Sequence, residues 1–301
     1  MNNSHIALVN NTFTNHLSVY DRGIAFGDGF FETMKWMISN DNLPQVEFWN
    51  RHMNRIIHSC KIAKINIPSL NILNSYKLKI LNKAKQKNIK EGILKLIITR
   101  GSGGRGYRFD EKMKPTIIFL SFPFQPYESS FYSKGIELKI YKNFLSKNYS
   151  LEGLKHLNRF DSVLLSNEID KRGDFEGLIA DENSNIIEGM MSNIFFIRKK
   201  ILHTPNIENI GIKGIMRQVV IEKFSYLFDK VVVENINKKR LEMFENAFIT
   251  NSIMGIMPVK KIENNLYNIS SIISEMNKGL KSPKFLELNL SISNKFSIRL
   301  R

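Results

Sequence analysis

Leu154-Lys155-His156-Leu157-Asn158-Arg159 sets a lysine between apolar residues at the start of a helix-forming stretch. A lysine so placed loses its proton near neutral pH when desolvation and neighbouring cations disfavour the ammonium, and the free amine can then form a Schiff base. In a lysine-rich chain the plainer alternative is a solvated side chain. Upstream, Pro123, Pro126 and Ser129-Ser130 form a linker, after which the pattern of strands and helices restarts with Ile136 to Tyr141 as a strand. The chain therefore divides into a smaller α+β domain, 1–122, and a larger α/β domain, 123–301, with a C-terminal extension from about 281.

Outward from this segment the elements segregate. Ile6 to Asn10 reads as a strand turned by Asn10-Asn11, and Phe30 to Met37 as another, turned by Ser39-Asn40-Asp41-Asn42 into Val46-Glu47-Phe48,. Asn50 suits the N-cap of a helix with Met53, Ile56, Ile57 and Cys60 on one face, and a second helix runs from about Ile72 to Gln86,. Ile93 to Thr99 and Thr116 to Ser121 read as buried strands. In the second part a helix is expected from about Asn158 to Lys171 and another from Ile215 to Phe228. Strands are expected at Leu178 to Ala180, Asn185 to Ile187, Asn193 to Ile197, Val231 to Val233 and Ala247 to Thr250. Lys281 to Arg301 alternates weakly, as an extra strand or a loose tail.

The 301 residues are 43% hydrophobic and 24% charged, globular usage that excludes a disordered or fibrous chain. Lys and Arg number 44 against 28 Asp and Glu, a formal charge of +16. The cations are scattered rather than gathered in a patch, so the charge bears on solubility and steering and does not call for nucleic acid. Cys60 stands alone, which excludes a disulfide framework and a cysteine metal cluster. Met1 to Thr14 lacks an apolar leader core, and no run nears the roughly 20 apolar residues of a membrane span. A soluble cytoplasmic protein without metal or membrane partner is expected.

Gly101-Ser102-Gly103-Gly104-Arg105-Gly106 matches a dinucleotide-loop pattern, but Tyr107-Arg108-Phe109 and Pro115 lead on to a strand and not to the helix such a loop must open,. The loop is either a flexible hairpin or, through Arg105 and Arg108, a carboxylate contact. Gly211-Ile212-Lys213-Gly214-Ile215-Met216-Arg217 puts glycines ahead of an amphipathic helix whose first N–H groups would converge on an anion, or is a turn that merely starts the helix,. Asn251-Ser252 could add donors to the same anion or form an Asx turn,. Glu188 before Gly189 is a strand-end carboxylate with the same double reading.

An amine nucleophile, a carboxylate, an arginine and a helix N-terminus for phosphate are together what pyridoxal 5'-phosphate requires of a protein. The order of Arg22-Gly23 with Gly27-Asp28-Gly29-Phe30-Phe31-Glu32-Thr33, His52-Met53-Asn54-Arg55, Lys155, Glu188-Gly189 with Ser192-Asn193, Gly214-Ile215, and Asn251-Ser252 with Pro258-Val259 resembles the class IV, fold-type IV pyridoxal-phosphate enzymes. The resemblance spans about Ile6 to Ile262. Within that superfamily, Arg100-Gly101-Ser102-Gly103-Gly104-Arg105-Gly106-Tyr107 and Leu154 to Arg159 look like segments of the aminodeoxychorismate lyases. Branched-chain and D-amino-acid aminotransferases share the cofactor residues but usually differ in these two segments.

The resemblance implies a two-domain fold, α+β and α/β, with the cofactor at the domain interface. It implies a lyase converting 4-amino-4-deoxychorismate to 4-aminobenzoate and pyruvate in folate biosynthesis, with a branched-chain or D-amino-acid aminotransferase as the alternative. Lys155 would join the cofactor and act as the base, and Glu188 would pair with the pyridine nitrogen. Arg55, the amides of Ile215 and Met216, and Asn251 and Ser252 would hold the phosphate, with Ser192 and Asn193 beside the cofactor. Arg105 and Tyr107 would reach a substrate carboxylate from the loop of a neighbouring subunit, which implies a homodimer, and Phe31 would line the pocket. Met190-Met191 is a bulky pair at a variable position.

Overall fold

Residues 5–141, 151, 153–172, 175–207 and 210–282 are described by the computed structural model. Among the N-terminal strands, buried and partly exposed residues alternate most regularly along Gly29–Ile38 and Glu91–Thr99, each of which presents one face to a core,. Six N-terminal strands form an antiparallel sheet: β1 (Ile6–Val9), β2 (Thr12–Phe13), β3 (Gly29–Ile38), β4 (Pro44–Val46), β5 (Glu91–Thr99) and β6 (Thr116–Pro123), in the order β2-β1-β6-β5-β3-β4. The short helix α1 (Arg22–Phe26) precedes β3, while α2 (Trp49–Ile62) and α3 (Leu70–Gln86) lie between β4 and β5 in the chain. Met53, Ile56 and Cys60 of α2 and Leu73, Ile80 and Leu81 of α3 pack with Met34, Leu94 and Phe119 of the sheet in one apolar core.

The second half builds a ten-stranded mixed sheet. Its strands are β7 (Ile136–Tyr141), β8 (Gly177–Ala180), β9 (Asn185–Gly189), β10 (Asn193–Arg198), β11 (Ile201–Pro205), β12 (Lys230–Glu234), β13 (Ile236–Asn237), β14 (Asn246–Asn251), β15 (Gly255–Ile262) and β16 (Asn265–Leu266). The order is β12-β11-β10-β14-β15-β7-β8-β9-β13, with β16 on β15. The helices of this half are α4 (Ser129–Lys134), α5 (Phe160–Arg172), α6 (Ile215–Lys223) and α7 (Ser271–Leu280). Met216, Val219 and Val220 of α6 and Ile273 and Met276 of α7 share a core with Phe195, Phe248 and Ile256 of the sheet. A second core, on the alternate residues Ile194, Phe196, Ala247 and Ile249, takes in Leu241 and Phe244.

Most expected elements are present within a residue or two, with instructive differences. Asn50 lies inside α2, and Phe48 occupies the cap position in the left-handed region at φ 54 without a side-chain hydrogen bond. Its ring is buried among the residues of the α6 core, and that burial outweighs the small backbone strain. Ser129-Ser130, read as linker, begins α4, which the Tyr132 hydroxyl ties to the second half by donating to the Met254 carbonyl at 2.8 Å. The helix at Ile215 ends at Lys223 and gives way to a 3-10 turn at Ser225–Leu227. The strands Ile201–Pro205 and Gly255–Ile262 and the helix Ser271–Leu280 are additional to the sequence reading. Residues 283–301, and with them most of the extension read as a strand or tail, lie outside the described residues, as do residues 1–4.

The two sheets meet around the segment 153–159. Phe31 donates its amide to the Lys155 carbonyl at 3.0 Å and Leu157 donates to the Gly29 carbonyl at 3.0 Å, so the lysine segment is stitched to the start of β3. On its other side Gly153 bridges Ile212, ahead of α6. Arg51 of α2 and Glu222 of α6 form a further tie at 2.6 Å.

Candidate active site

The stitching of 155–157 to β3 fixes the backbone of Lys155 and turns its side chain into a cavity of about 420 Å³ lined by Phe31, Arg55, Lys155, Arg159, Glu188 and the start of α6. The ammonium lies 4.5 Å from the centroid of the Phe31 ring. Burial, with Arg55 and Arg159 close by, lowers the lysine to about 8, against the opposing attraction of Glu32 and Glu188,. A substantial fraction of the amine is therefore neutral near physiological pH, as a nucleophile or base requires.

Glu188, at the end of β9, faces the same cavity and is only 6% exposed. Burial raises its carboxyl to about 7, although the Ile212 amide, Arg159 and Lys155 pull the other way. The Ile212 amide donates to Oε2 at 2.9 Å and the Asn193 side-chain amide donates to the same oxygen at 3.3 Å and to the Ile212 carbonyl at 3.0 Å. Gly211 permits this approach: at φ +80, a Cβ there would stand 3.1 Å from the Glu188 carboxyl carbon. Asn193 thus locks the glutamate to the loop that opens α6.

Behind Glu188 lies a second buried carboxyl absent from the sequence reading. Glu176 accepts from the amides of Gly177 at 3.1 Å and Met191 at 3.2 Å and from the Ser192 hydroxyl at 3.2 Å. Burial raises it to about 7 as well. Ser192 lines the cavity, but its hydroxyl is directed to Glu176. An acidic residue set directly before the wholly buried strand Gly177–Ala180 was the available signal.

The residues expected to hold an anion come from both halves of the chain. Arg55 of α2 donates from Nε to Glu32 Oε1 at 2.7 Å, from Nη2 to Oε2 at 2.5 Å, and from Nη1 to the Lys213 carbonyl at 3.0 Å. His52 Nδ1 lies 2.6 Å from the same carboxylate. Ile215 and Met216 are the first residues of α6, and their amides belong to the helix turn that lacks intrahelical acceptors,. Asn251 and Ser252 line the cavity. The Asn251 side chain is committed to a turn, its Oδ1 accepting from the amides of Ile253 and Met254 at 2.9 and 2.8 Å, so the Asx alternative holds for that side chain.

Arg105 and Tyr107 stand apart from this chain's own cavity. Both are exposed, Tyr107 to 88%. Their loop is held from beneath by Arg22, whose guanidinium pairs with Asp28 at 2.9 Å and donates to the Gly106 carbonyl at 3.0 Å. Arg159, present in the lysine segment but given no role from sequence, lines the cavity, donates among the described residues to the backbone carbonyls of His156 and Leu154, and interacts electrostatically with Glu188. A neighbouring cavity of about 690 Å³ shares Tyr127, Met216, Ser252 and Ile253 with the first but contains neither Lys155 nor Glu188.

An amine with a lowered pKa, a buried carboxylate and an arginine beside a helix N-terminus surround one space, matching the aldehyde, ring nitrogen and phosphate of pyridoxal 5'-phosphate. The donor set therefore fits the group the sequence points to. The family model described as Amino-transferase class IV matches residues 29–262. The chain is 27% identical over 254 residues to the aminodeoxychorismate lyase of Vibrio harveyi, covering 84% of this chain and 90% of that protein. It is 28% identical over 274 residues to a putative branched-chain-amino-acid aminotransferase of Methanocaldococcus jannaschii, covering 90% and 91%. Among solved structures, the 4-amino-4-deoxychorismate lyase of Pseudomonas aeruginosa superposes with a TM-score of 0.83 at 27% identity, over 93% of this chain and 99% of that one. With that match and that fold, the chain belongs to the class IV aminotransferases, the fold-type IV enzymes that depend on pyridoxal 5'-phosphate.

Proposed function

We propose that this protein is an aminodeoxychorismate lyase, releasing 4-aminobenzoate and pyruvate from 4-amino-4-deoxychorismate. The observation that carries the reading is the charge of the cavity wall. Beyond Lys155 and the Glu32-bound Arg55, it presents Arg159, whose guanidinium donates only to backbone carbonyls among the described residues. A doubly carboxylated substrate offers the cations of this wall two partners, whereas a branched-chain amino acid offers one carboxylate and an aliphatic side chain. The lyase-like segments Arg100 to Tyr107 and Leu154 to Arg159 support the same choice.

When bound, pyridoxal 5'-phosphate supplies an electron sink conjugated to the amine-bearing carbon of the substrate. Glu188, whose carboxyl accepts from the Ile212 amide and the Asn193 side chain, would pair with the ring nitrogen. Arg55, the amides of Ile215 and Met216, and Ser252 would hold the phosphate. Lys155, in its neutral form, removes the proton from the amine-bearing ring carbon and delivers one to the methylene carbon of the departing enolpyruvate, giving pyruvate. Phe31 lines the cavity with its ring 4.5 Å from the lysine ammonium and gives the reacting amine an apolar neighbour.

The reading includes two domains, 1–122 and 123–301, and a homodimer in the cytoplasm. Arg105 and Tyr107, lying outside their own cavity, reach that of a second copy. Purified holoenzyme incubated with aminodeoxychorismate and no keto acid is expected to form 4-aminobenzoate and pyruvate in equal amounts. Failure to do so, with amino-group transfer to 2-oxoglutarate from a branched-chain or D-amino acid, would replace the lyase by the aminotransferase that the Methanocaldococcus relative supports.

A further inference from the structure

Glu176, fully buried, stands behind the cavity wall and grips the turn that forms part of it. The turn 189–192 joins β9 to β10, and all four of its residues line the cavity. The Gly189 amide donates to the Ser192 carbonyl at 2.7 Å and the Met190 amide to the Gly177 carbonyl at 3.0 Å. From behind, Glu176 Oε2 accepts from the Met191 amide and the Ser192 hydroxyl, and Oε1 from the Gly177 amide. A Cβ on Gly189, the residue after Glu188, would stand 3.3 Å from the Glu176 carboxyl carbon. Two buried carboxyls therefore share one turn.

Burial raises both to about 7, and two carboxylates in one dry region repel, so the first ionisation opposes the second. Their surroundings decide the order. Glu188 faces three cations, Lys155 and Arg159 of the lysine segment and Arg217 of α6. Glu176 is held by two amides and a hydroxyl, none of them a cation. The titratable groups that share its surroundings are Glu188 and Tyr127, whose phenol burial and Glu176 together push upward, so that it stays neutral. Dipoles offset less of the desolvation of an ion than full charges do. The Ser192 hydroxyl suits either state, since across the same 3.2 Å it can donate to an ionised Glu176 or accept from a protonated one,.

We infer that Glu176 is a positioning residue that keeps the proton of the pair, so that the single negative charge falls to Glu188, the carboxyl facing the cavity. This rests on the reading of Glu188 as the partner of the ring nitrogen, and deepens it. Held neutral, Glu176 fixes the turn 189–192 without adding a second charge behind the first. A protonated carboxyl offers one donor and an acceptor, as a carboxamide does, so glutamine mimics this state.

The test titrates the full-length protein, isotope-labelled at the glutamate carboxyl carbons, by NMR with and without bound cofactor. Glu188 is expected to ionise first and Glu176 at higher pH. Glu188→Gln should bring the Glu176 midpoint down by about one pH unit, because a like charge is removed. Glu176→Gln should leave the Glu188 midpoint where it was, because the neighbour it replaces is neutral when Glu188 ionises. A residue that only props the turn would change Tm without this asymmetry. By equilibrium dialysis, Glu176→Gln is expected to bind cofactor as tightly as wild type. Glu176→Asp, an acid one methylene short of the turn, should weaken it about tenfold.

The reverse order of ionisation in wild type would overturn the inference, as would a Glu188 midpoint that falls by about one pH unit in Glu176→Gln. The expected order, combined with equal cofactor affinity of wild type and Glu188→Gln, would uphold the place of the proton and remove Glu188 from the ring nitrogen.

Discussion

Arg55 meets Glu32 through two nitrogens at once, Nε at 2.7 Å and Nη2 at 2.5 Å, across the packing of α2 on β3. The guanidinium proposed to hold the phosphate is thus oriented by a carboxylate that is itself 1% exposed. Burial pushes Glu32 upward, but the charge and hydrogen bonds of Arg55, joined by His52, hold it at about 2 against an ordinary 4.5.

Glu32→Gln is accordingly expected to weaken pyridoxal-phosphate binding by about tenfold, read by equilibrium dialysis, because a charge-assisted orienting contact is lost. The same variant has a pH signature. A carboxyl whose folded pKa is depressed stabilises the native state above its unfolded value of 4.5, and that stability is lost as pH falls toward about 2,. The contribution is on the order of 3 kcal/mol. Urea unfolding across that window should show a steeper decline for wild type than for Glu32→Gln; parallel curves would remove the coupling.

Gly214 is required where α6 begins, for a reason of space. A Cβ built on it would stand 2.0 Å from Asn193 Oδ1, and Asn193 is the side chain that joins Glu188 to Ile212. Gly214→Ala should destabilise the protein by about 1–3 kcal/mol through overpacking and lower cofactor affinity with it. A thermal unfolding scan and a cofactor titration check the pair of effects, and an unchanged Tm would mean that Asn193 moves freely.

Arg105 is exposed in its loop, so Arg105→Ala should leave Tm unaltered and act on substrate alone. About a tenfold rise in KM with kcat nearly constant is expected for a lost exposed carboxylate contact. Mixing this variant with Lys155→Ala subunits tests whether the loop serves a second copy: hybrid dimers should regain one site with both residues intact, whereas no gain over the separate variants would place the loop in its own chain's service.

Much of this arrangement is legible along the chain because the signals are local. The alternation in Phe30–Met37, the apolar neighbours of Lys155 and the glycines ahead of Ile215 each declare themselves within a few residues. Contacts set by sheet register and by docking of the two halves do not. Glu32 with Arg55, Glu176 with Ser192, and Lys95 beside Phe31 join positions far apart in sequence, and a carboxylate or lysine among many looks solvated until its neighbours are known. Phe48 taking the cap position from Asn50 is the converse: local preference pointed to the asparagine, and burial of an aromatic ring overrode it.

The claim beneath all of these is that the amine of Lys155 carries the cofactor in the cavity it shares with Glu188. Borohydride reduction of the holoenzyme, followed by proteolysis and mass spectrometry, should find the reduced pyridoxyl group on the peptide containing Lys155 and on no other. Loading of cofactor-free protein should accelerate with pH up to about 8, where the amine becomes neutral, and then level off. A label on a different lysine, or full labelling and turnover in Lys155→Ala, would contradict the account.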